Sequence, residues 1–386
     1  MTGTNLPATI GPASVSEMLR HGRNLLLANP SFQKWAASFP LTRLVAERQS
    51  NALFDICSGF VYSQILLACV RLDLFTKLAG GPRPIVSVAE DLDLSFDATQ
   101  RLLRAATALK LVDHLEGERY GLGELGAALL ANPSIGAVVE HHALLYADLT
   151  DPVALLRGDV KTELSGYWPY ANRKPGDPAP AGADVDEAYA AYSELMAQSQ
   201  LDIAEDILDA FPPTGHRRWL DVGGGEGVFV SVLAITAPEV EAQMLDLPQV
   251  AARARAALQT RGMLSRVTVH EGDFFSDSLP KGADVLSLIR VLHDHDDEAA
   301  RAIIARAHDA LEPGGTLLIA EPMGGGRGSD RVSDAYFNFY LLAMGRGRTR
   351  SVAEITCLLE ASGFSDVRAV ASRRPMLANI LVAQRV

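Results

Sequence analysis

Two stretches of this chain place reactive side chains where a glycine-rich turn meets a strand end. The first is Asp221-Val222-Gly223-Gly224-Gly225-Glu226-Gly227. It follows an apolar run that reads as a short strand and precedes one that reads as a helix. Glycines such as Gly223 and Gly225 permit a tight turn and let backbone approach a ligand closely. Such a loop alone is weak evidence, because dinucleotide-binding proteins use a related pattern. Its acids narrow the reading. Asp221 stands before the first glycine, where a carboxylate suits the ammonium of an amino-acid moiety and would repel a pyrophosphate. Asp246, followed by Leu247, closes the next strand candidate, where a carboxylate accepts hydrogen bonds from both hydroxyls of a ribose. The ligand implied is a nucleoside carrying an amino-acid group.

Further along, Gly272-Asp273-Phe274-Phe275 follows a third strand candidate. Asp273 can accept from an adenine amino group, and Phe274 can cover the ring face. The second reactive stretch is Val291-Leu292-His293-Asp294-His295-Asp296-Asp297-Glu298, just after a fourth strand candidate. Ligands in open sheets sit beyond the strand C-termini, so His293 is placed to act as a general base near neutral pH. Asp294 beside it joins the catalytic candidates, and the later acids suit the N-terminus of the next helix. Glu321 ends the fifth strand candidate, next to the fourth, and is positioned to orient His293. The alternative for Glu321 is a solvated surface carboxylate. Alternating His and Asp also raises a metal reading, but one short run does not make a coordination sphere, and no metal is expected.

The elements that must hold these residues follow from hydrophobic periodicity. Strand candidates are Arg218–Val222, Gln243–Asp246, Val267–His270, Ala283–Arg290, Thr316–Ala320, Val367–Ala371 and Ala378–Ala383. Helix candidates at Gly227–Ala234, Gln249–Arg261, Asp297–Leu311 and Val352–Ser362 alternate with them. This predicts an α/β fold with a doubly wound sheet. Helical periodicity dominates from Val15 to Tyr146, including an amphipathic run over Ala52–Leu78. Helix, helix, hairpin across Val86–Leu122, with Asp97 as a cap, is a winged-helix pattern. Tyr167–Asp186, dense in Pro, Gly and Asp, reads as a linker, and a helix is expected over Glu187–Phe211. The domains expected are a flexible 1–20, a helical 21–185 and a ligand-binding catalytic 186–386.

Composition bounds the function. The chain has 386 residues, is 48% hydrophobic and carries a net charge of −12, which argues against nucleic acid as the partner of the winged unit. Cys57, Cys69 and Cys357 fit neither a zinc site nor a disulfide framework and are expected to be reduced thiols. The N-terminus lacks a signal-peptide pattern, and no apolar stretch is expected to reach the ~20 residues that span a bilayer. A cytoplasmic location follows as an expectation.

The motifs LDVGGGEG, MLDLPQV, GDFF, VLHDHDDE, EPGGTLLIAE, GRGRTRS and ASGF, in this order, resemble the plant-type family of S-adenosylmethionine-dependent O-methyltransferases. The resemblance covers most of the chain. It implies a winged-helix-like dimerisation domain, a Rossmann-like catalytic domain and a homodimer. It implies a histidine base at His293 and cofactor contacts through Gly223, Asp246, Asp273 and Phe274, with S-adenosylhomocysteine as product. Three positions depart from the family pattern. His295 stands where a tryptophan is frequent, Gly347 where a glutamate precedes the Arg-Thr pair, and Ile289 where a lysine is common.

Upstream, NPSFQKWAASFPLTRLVAERQSNALFDICSGFVYSQILLACVRLDLF resembles the bacterial carotenoid branch, which methylates hydroxyneurosporene and demethylspheroidene. An apolar, hydroxylated small-molecule substrate is then expected. Its lining would come from the N-terminal helices and from Asp334–Met344, whose aromatics could equally be plain core. Peripheral membrane contact through Phe32, Trp35 and Phe39 is also expected. The readings left open are a polyketide, phenolic or tetrapyrrole acceptor, a relative that binds the cofactor without methylating, and a DNA-binding regulator.

Overall fold

A computed structural model describes residues 14–167, 200–325, 331–375 and 377–386, apart from the side chains of Pro133, Tyr167 and Arg331. The chain divides into two compact units, Met1–Ala127 and Ala128–Val386. From the sequence, the helical domain is expected to run to residue 185. The difference has a packing cause. Leu145, Leu155 and Leu164 share a core with Tyr340, Leu341 and Met344, so the helices after residue 132 belong with the C-terminal unit.

In the N-terminal unit, helices α1 (Val15–Leu27), α2 (Pro30–Ser38) and α3 (Pro40–Arg71) lead into α4 (Leu74–Leu78). Ser14 and Glu17 close a capping box on α1, and prolines open α2 and α3. The winged pattern is present: β1 (Arg83–Pro84), α5 (Ile85–Leu92), α6 (Phe96–Ala108), then the hairpin β2 (Val112–Leu115) and β3 (Arg119–Leu122). The cap of α6 is Ser95, whose hydroxyl accepts from Ala98 N–H. Asp97 lies in the first turn and pairs with Arg101 instead.

One expectation is overturned here. At 32 residues, α3 is long and apolar enough to cross a membrane by length and composition. Ser58, Ser63 and Gln64 interrupt the apolar run, which hides it on reading, yet no charge falls between Asp55 and Arg71. Leu67 and Cys69 are the buried residues of α3, while Leu53, Phe54, Ile56 and Phe60 are more than half exposed.

Helix α7 (Glu124–Leu130) links the units, and α8 (Pro133–Asp148), α9 (Pro152–Arg157) and α10 (Glu163–Tyr167) follow. The linker expected over 167–186 and the start of the helix expected from 187 lie almost wholly outside the described residues. Residues 200–210 are helical (α11). Then come β4 (Arg218–Val222), α12 (Val228–Thr236), β5 (Glu241–Asp246), α13 (Pro248–Thr260), β6 (Val267–Glu271) and β7 (Ala283–Ile289). After a single 3₁₀ turn at Leu292–Asp294 come α14 (Asp297–Ala310), β8 (Leu311–Glu321) and β9 (Met323–Gly324). A wide π-helical run, Arg331–Phe337, leads into α15 (Asn338–Met344), and β10 (Arg350–Ser351), α16 (Val352–Ala361), β11 (Phe364–Val370) and β12 (Asn379–Arg385) complete the unit.

The large sheet has the order β11-β12-β8-β7-β4-β5-β6. β8, β7, β4, β5 and β6 run parallel, and β12 returns antiparallel on β8. The order reverses between β4 and β7, so a crevice opens beyond the C-terminal ends of those two strands. Near-continuous apolar strands fit burial on both faces, and two apolar cores cover them. β8 begins earlier than Thr316, because Leu311 already pairs with Ala283, and Pro313-Gly314-Gly315 is taken up in a register shift.

Candidate active site

The glycine loop turns directly off β4. Gly223, Gly225 and Gly227 all have positive φ, at 76°, 57° and 72°, which an L side chain adopts only with strain. A Cβ on Gly223 would also meet the Val291 side chain at 2.8 Å, so the loop lies against the segment that carries His293. Gly223 N–H donates to the Leu245 carbonyl at 2.9 Å, fastening the loop to the end of β5.

Asp221 is buried. Its Oδ1 accepts the Ser287 hydroxyl at 2.5 Å, and that oxygen accepts the Trp219 indole N–H at 3.0 Å. Burial pushes the Asp221 carboxyl up to about 7, the Ser287 bond works against this, and nearby Asp246 adds to it. Asp246 accepts Gly225 N–H on Oδ2 and Leu247 N–H on Oδ1, each at 2.8 Å. Burial lifts it to about 6 against the pull of those two bonds. Each carboxylate oxygen keeps a lone pair beyond its bond. A buried and a half-buried carboxylate beside an open glycine turn form an acceptor set that fits a cation and a diol. A Cβ at Gly225 would meet nothing within 4 Å, which leaves space against the turn. Asp273 is buried, with its Oδ1 accepting Phe275 N–H at 2.9 Å.

His295, at the position where the resemblance leads one to expect tryptophan, is an aromatic plate in its own right. Its ring meets Phe274 and Phe275 edge-on, with centroids 5.6 and 5.2 Å away. Burial, helped by nearby Arg346 and by His293, pushes it down to about 3, so the ring is neutral.

At the ends of β7 and β8, the 3₁₀ turn carries His293 between two carboxylates. Its Nε2 lies 3.0 Å from Asp294 Oδ1, and its Nδ1 lies 3.5 Å from Glu321 Oε2. The same Glu321 oxygen accepts the His293 backbone N–H at 3.0 Å. All three side chains are buried, so the solvated reading of Glu321 is excluded. Burial alone would lower the His293 pKa; the charge and hydrogen bond of Asp294, then those of Glu321, outweigh it and lift the ring to about 9. Burial raises Asp294 in turn.

Sequence reasoning missed what fixes this turn. Arg350 is fully buried; it donates to the carbonyls of Leu292 and His295 at 2.8 and 2.7 Å and pairs with Asp297. Arg346 pairs with Asp296, the N-cap of α14, and Arg348 with Asp297 and Glu354. Arg348 N–H donates to the His293 carbonyl at 2.9 Å. Gly347 has φ 88°, and a Cβ there would collide with that same carbonyl, so no glutamate fits. The alternating arginines of GRGRTRS were the available signal. So was Ser287, the one hydroxyl in a strand that is apolar and buried from Val285 onward.

The stretch 334–344 divides its roles. Tyr340, Leu341 and Met344 are core. Phe337 faces the base, its ring centroid 6.4 Å from that of His293. The hydroxyls of Tyr336 and Tyr340 lie 2.8 Å from His142 and His141 of α8.

Residues 146–365 match the model of the O-methyltransferase domain, and residues 54–132 that of the O-methyltransferase dimerisation domain. The chain belongs to the O-methyltransferase family. This O-methyltransferase is 41% identical to demethylspheroidene O-methyltransferase of Cereibacter sphaeroides, over 93% of each chain. It is 42% identical to the protein of that name from Rhodobacter capsulatus, over 90% of this chain and 85% of that one. Human N-acetylserotonin methyltransferase, solved in complex with S-adenosylmethionine, shares the fold with a TM-score of 0.71 at 24% identity, over 87% of this chain and 97% of that one. The O-methyltransferase is an S-adenosylmethionine-dependent enzyme with the family's helical dimerisation domain and α/β catalytic domain.

Proposed function

We propose that this enzyme methylates the hydroxyl of a 1-hydroxy carotenoid of the demethylspheroidene or hydroxyneurosporene type, in carotenoid biosynthesis, as a homodimer. The observation that carries the substrate is the identity of 41% and 42% to two demethylspheroidene O-methyltransferases over nearly the whole chain. The dimerisation-domain match supports the homodimer.

When bound, S-adenosylmethionine supplies a methyl group on a sulfonium and leaves as S-adenosylhomocysteine. Asp221 would hold its ammonium, and Asp246 with Leu247 N–H its ribose. Gly223 and Gly225 would let backbone lie against it, Asp273 would accept from the adenine amino group, and Phe274 would cover the ring. His293 takes the hydroxyl proton at Nε2 while the new oxygen–carbon bond forms and the sulfur–carbon bond breaks. Asp294, now 3.0 Å from Nε2, yields that position to the substrate oxygen and stays beside the imidazolium. Glu321 holds the ring from the Nδ1 side and through the backbone. A tertiary aliphatic alcohol is far less acidic than a phenol, so a base poised well above neutrality suits it.

The test is incubation with S-adenosylmethionine and a 1-hydroxy carotenoid in detergent, followed by mass spectrometry. A product heavier by one CH₂, absent with His293→Ala, is expected. No product from an enzyme that still binds the cofactor would move the substrate to a phenolic, polyketide or tetrapyrrole acceptor.

A further inference from the structure

The first three helices carry an apolar surface that the catalytic chemistry does not use. None of α1 is buried, and only Ala36 of α2 is. Met18, Leu19 and Leu26 of α1, Trp35 of α2, and Leu41 and Leu44 of α3 are all more than half exposed, from 51% to 82%. Phe32, Trp35 and Phe39 form a continuous aromatic ridge, with centroids 5.6 and 5.2 Å apart. Between α1 and α2 lies an apolar groove of about 390 Å³, lined by Leu19, Leu26 and Phe32 with Arg23 beside them.

Charge says what covers this surface. The whole chain is strongly acidic at −12, yet residues 14–51 carry Arg20, Arg23, Lys34, Arg43 and Arg48 against only Glu17 and Glu47. Apolar residues, an aromatic ridge and basic side chains on short amphipathic helices are the composition of an element that lies in an anionic lipid interface. A second copy of this chain would bring like charge to like charge. The dimerisation-domain match also begins only at residue 54, beyond α1, α2 and the start of α3.

We infer that α1, α2 and the first turns of α3 form a docking element for an anionic bilayer surface, with the aromatic ridge in the interface and the arginines among the lipid phosphates. The element lies in the surface and does not cross it, because Arg43, Glu47, Arg48 and Asp55 interrupt the first half of α3. The inference does not rest on the carotenoid reading, since vesicle binding is measured with no carotenoid present.

The experiment is flotation of the full-length protein with vesicles of phosphatidylcholine, alone or mixed with phosphatidylglycerol, over a salt series. Binding is expected only to the anionic vesicles and is expected to fall as salt rises. Arg20→Glu/Arg23→Glu/Lys34→Glu is expected to weaken it by at least ~10²-fold, and Trp35→Ala/Phe39→Ala to abolish it. Both variants should keep the parent's oligomeric state and its thermal shift with S-adenosylhomocysteine. Equal binding to neutral and anionic vesicles, or none to either, overturns the inference. So does a change of oligomeric state in either variant, which would make the face a contact between copies. The salt series on the unaltered protein decides the matter even if a variant fails to fold.

Discussion

One oxygen of Glu321 serves His293 twice, accepting its backbone N–H at 3.0 Å and standing 3.5 Å from its Nδ1. Glu321 at the end of β8 thus holds the backbone of the base by a hydrogen bond and stands beside its ring as a charge partner, opposite Asp294. The ring is lifted to about 9, so it is charged at neutral pH and must lose a proton before it can accept one. kcat/KM should rise with pH toward about 9. Glu321→Gln should move the rising limb to lower pH and reduce the maximum, because the ring loses a charge partner and its orientation. A profile unchanged in midpoint would remove Glu321 from this role. His293→Ala should lower turnover by ~10²–10⁴-fold and leave cofactor affinity in place.

The two acids at the glycine loop predict that stability and cofactor binding depend on pH. Asp221 and Asp246 titrate near 7 and 6 in the folded protein, above the ordinary carboxylate range. The folded state thus holds more protons than the unfolded one between about pH 4 and 7, and the ligand-free enzyme loses this contribution to stability as pH rises through that window. A bound ammonium reverses the preference for the neutral acid. The thermal shift produced by S-adenosylhomocysteine should be larger at pH 7 than at pH 5.5. Calorimetry near pH 6.5 should find protons released on binding, and Asp221→Asn should suppress that release.

Arg350 fastens the turn that carries the base. Arg350→Met would leave the carbonyls of Leu292 and His295 without their donors and Asp297 short of a partner. The expected loss is about 3 kcal/mol of unfolding free energy. Equilibrium denaturation measures it, and a loss below ~1 kcal/mol would make the guanidinium a filler of space only.

His295 is held neutral, its pKa pushed down to about 3. Its contribution to stability is complete above about 6.5 and is lost as pH falls below that, because the unfolded ring takes up a proton there and the folded one does not. His295→Phe should keep the edge-on packing with Phe274 and Phe275 and reduce the drop in Tm between pH 7 and pH 5. An unchanged drop would assign the acid sensitivity to other groups.

Much of the site was legible in the sequence because strand, glycine turn and acid follow one another along the chain. Asp221 before Gly223, Asp246 at the end of β5 and His293 after β7 are local patterns, and the sheet order then brings them to one crevice. What the sequence hid depends on pairs far apart. Ser287 and Trp219 meet Asp221 only because β7 and β4 are neighbours. Arg350 reaches Leu292 only through the fold of the 345–351 segment. That Gly347 must be glycine follows from the His293 carbonyl packed against it, a contact between residues far apart in sequence. The unit to which the helices at 133–167 belong is not written in their periodicity, which is the same whichever unit they pack against.

The bond from Trp219 to Ser287 and on to Asp221 gives this protein an optical property. The indole N–H is one end of a buried two-bond relay whose other end is the Asp221 carboxylate, just before the glycine turn. A change in the charge of that carboxylate is expected to alter the field across the indole ring, so Trp219 emission should report events at the far end of β4 without a label.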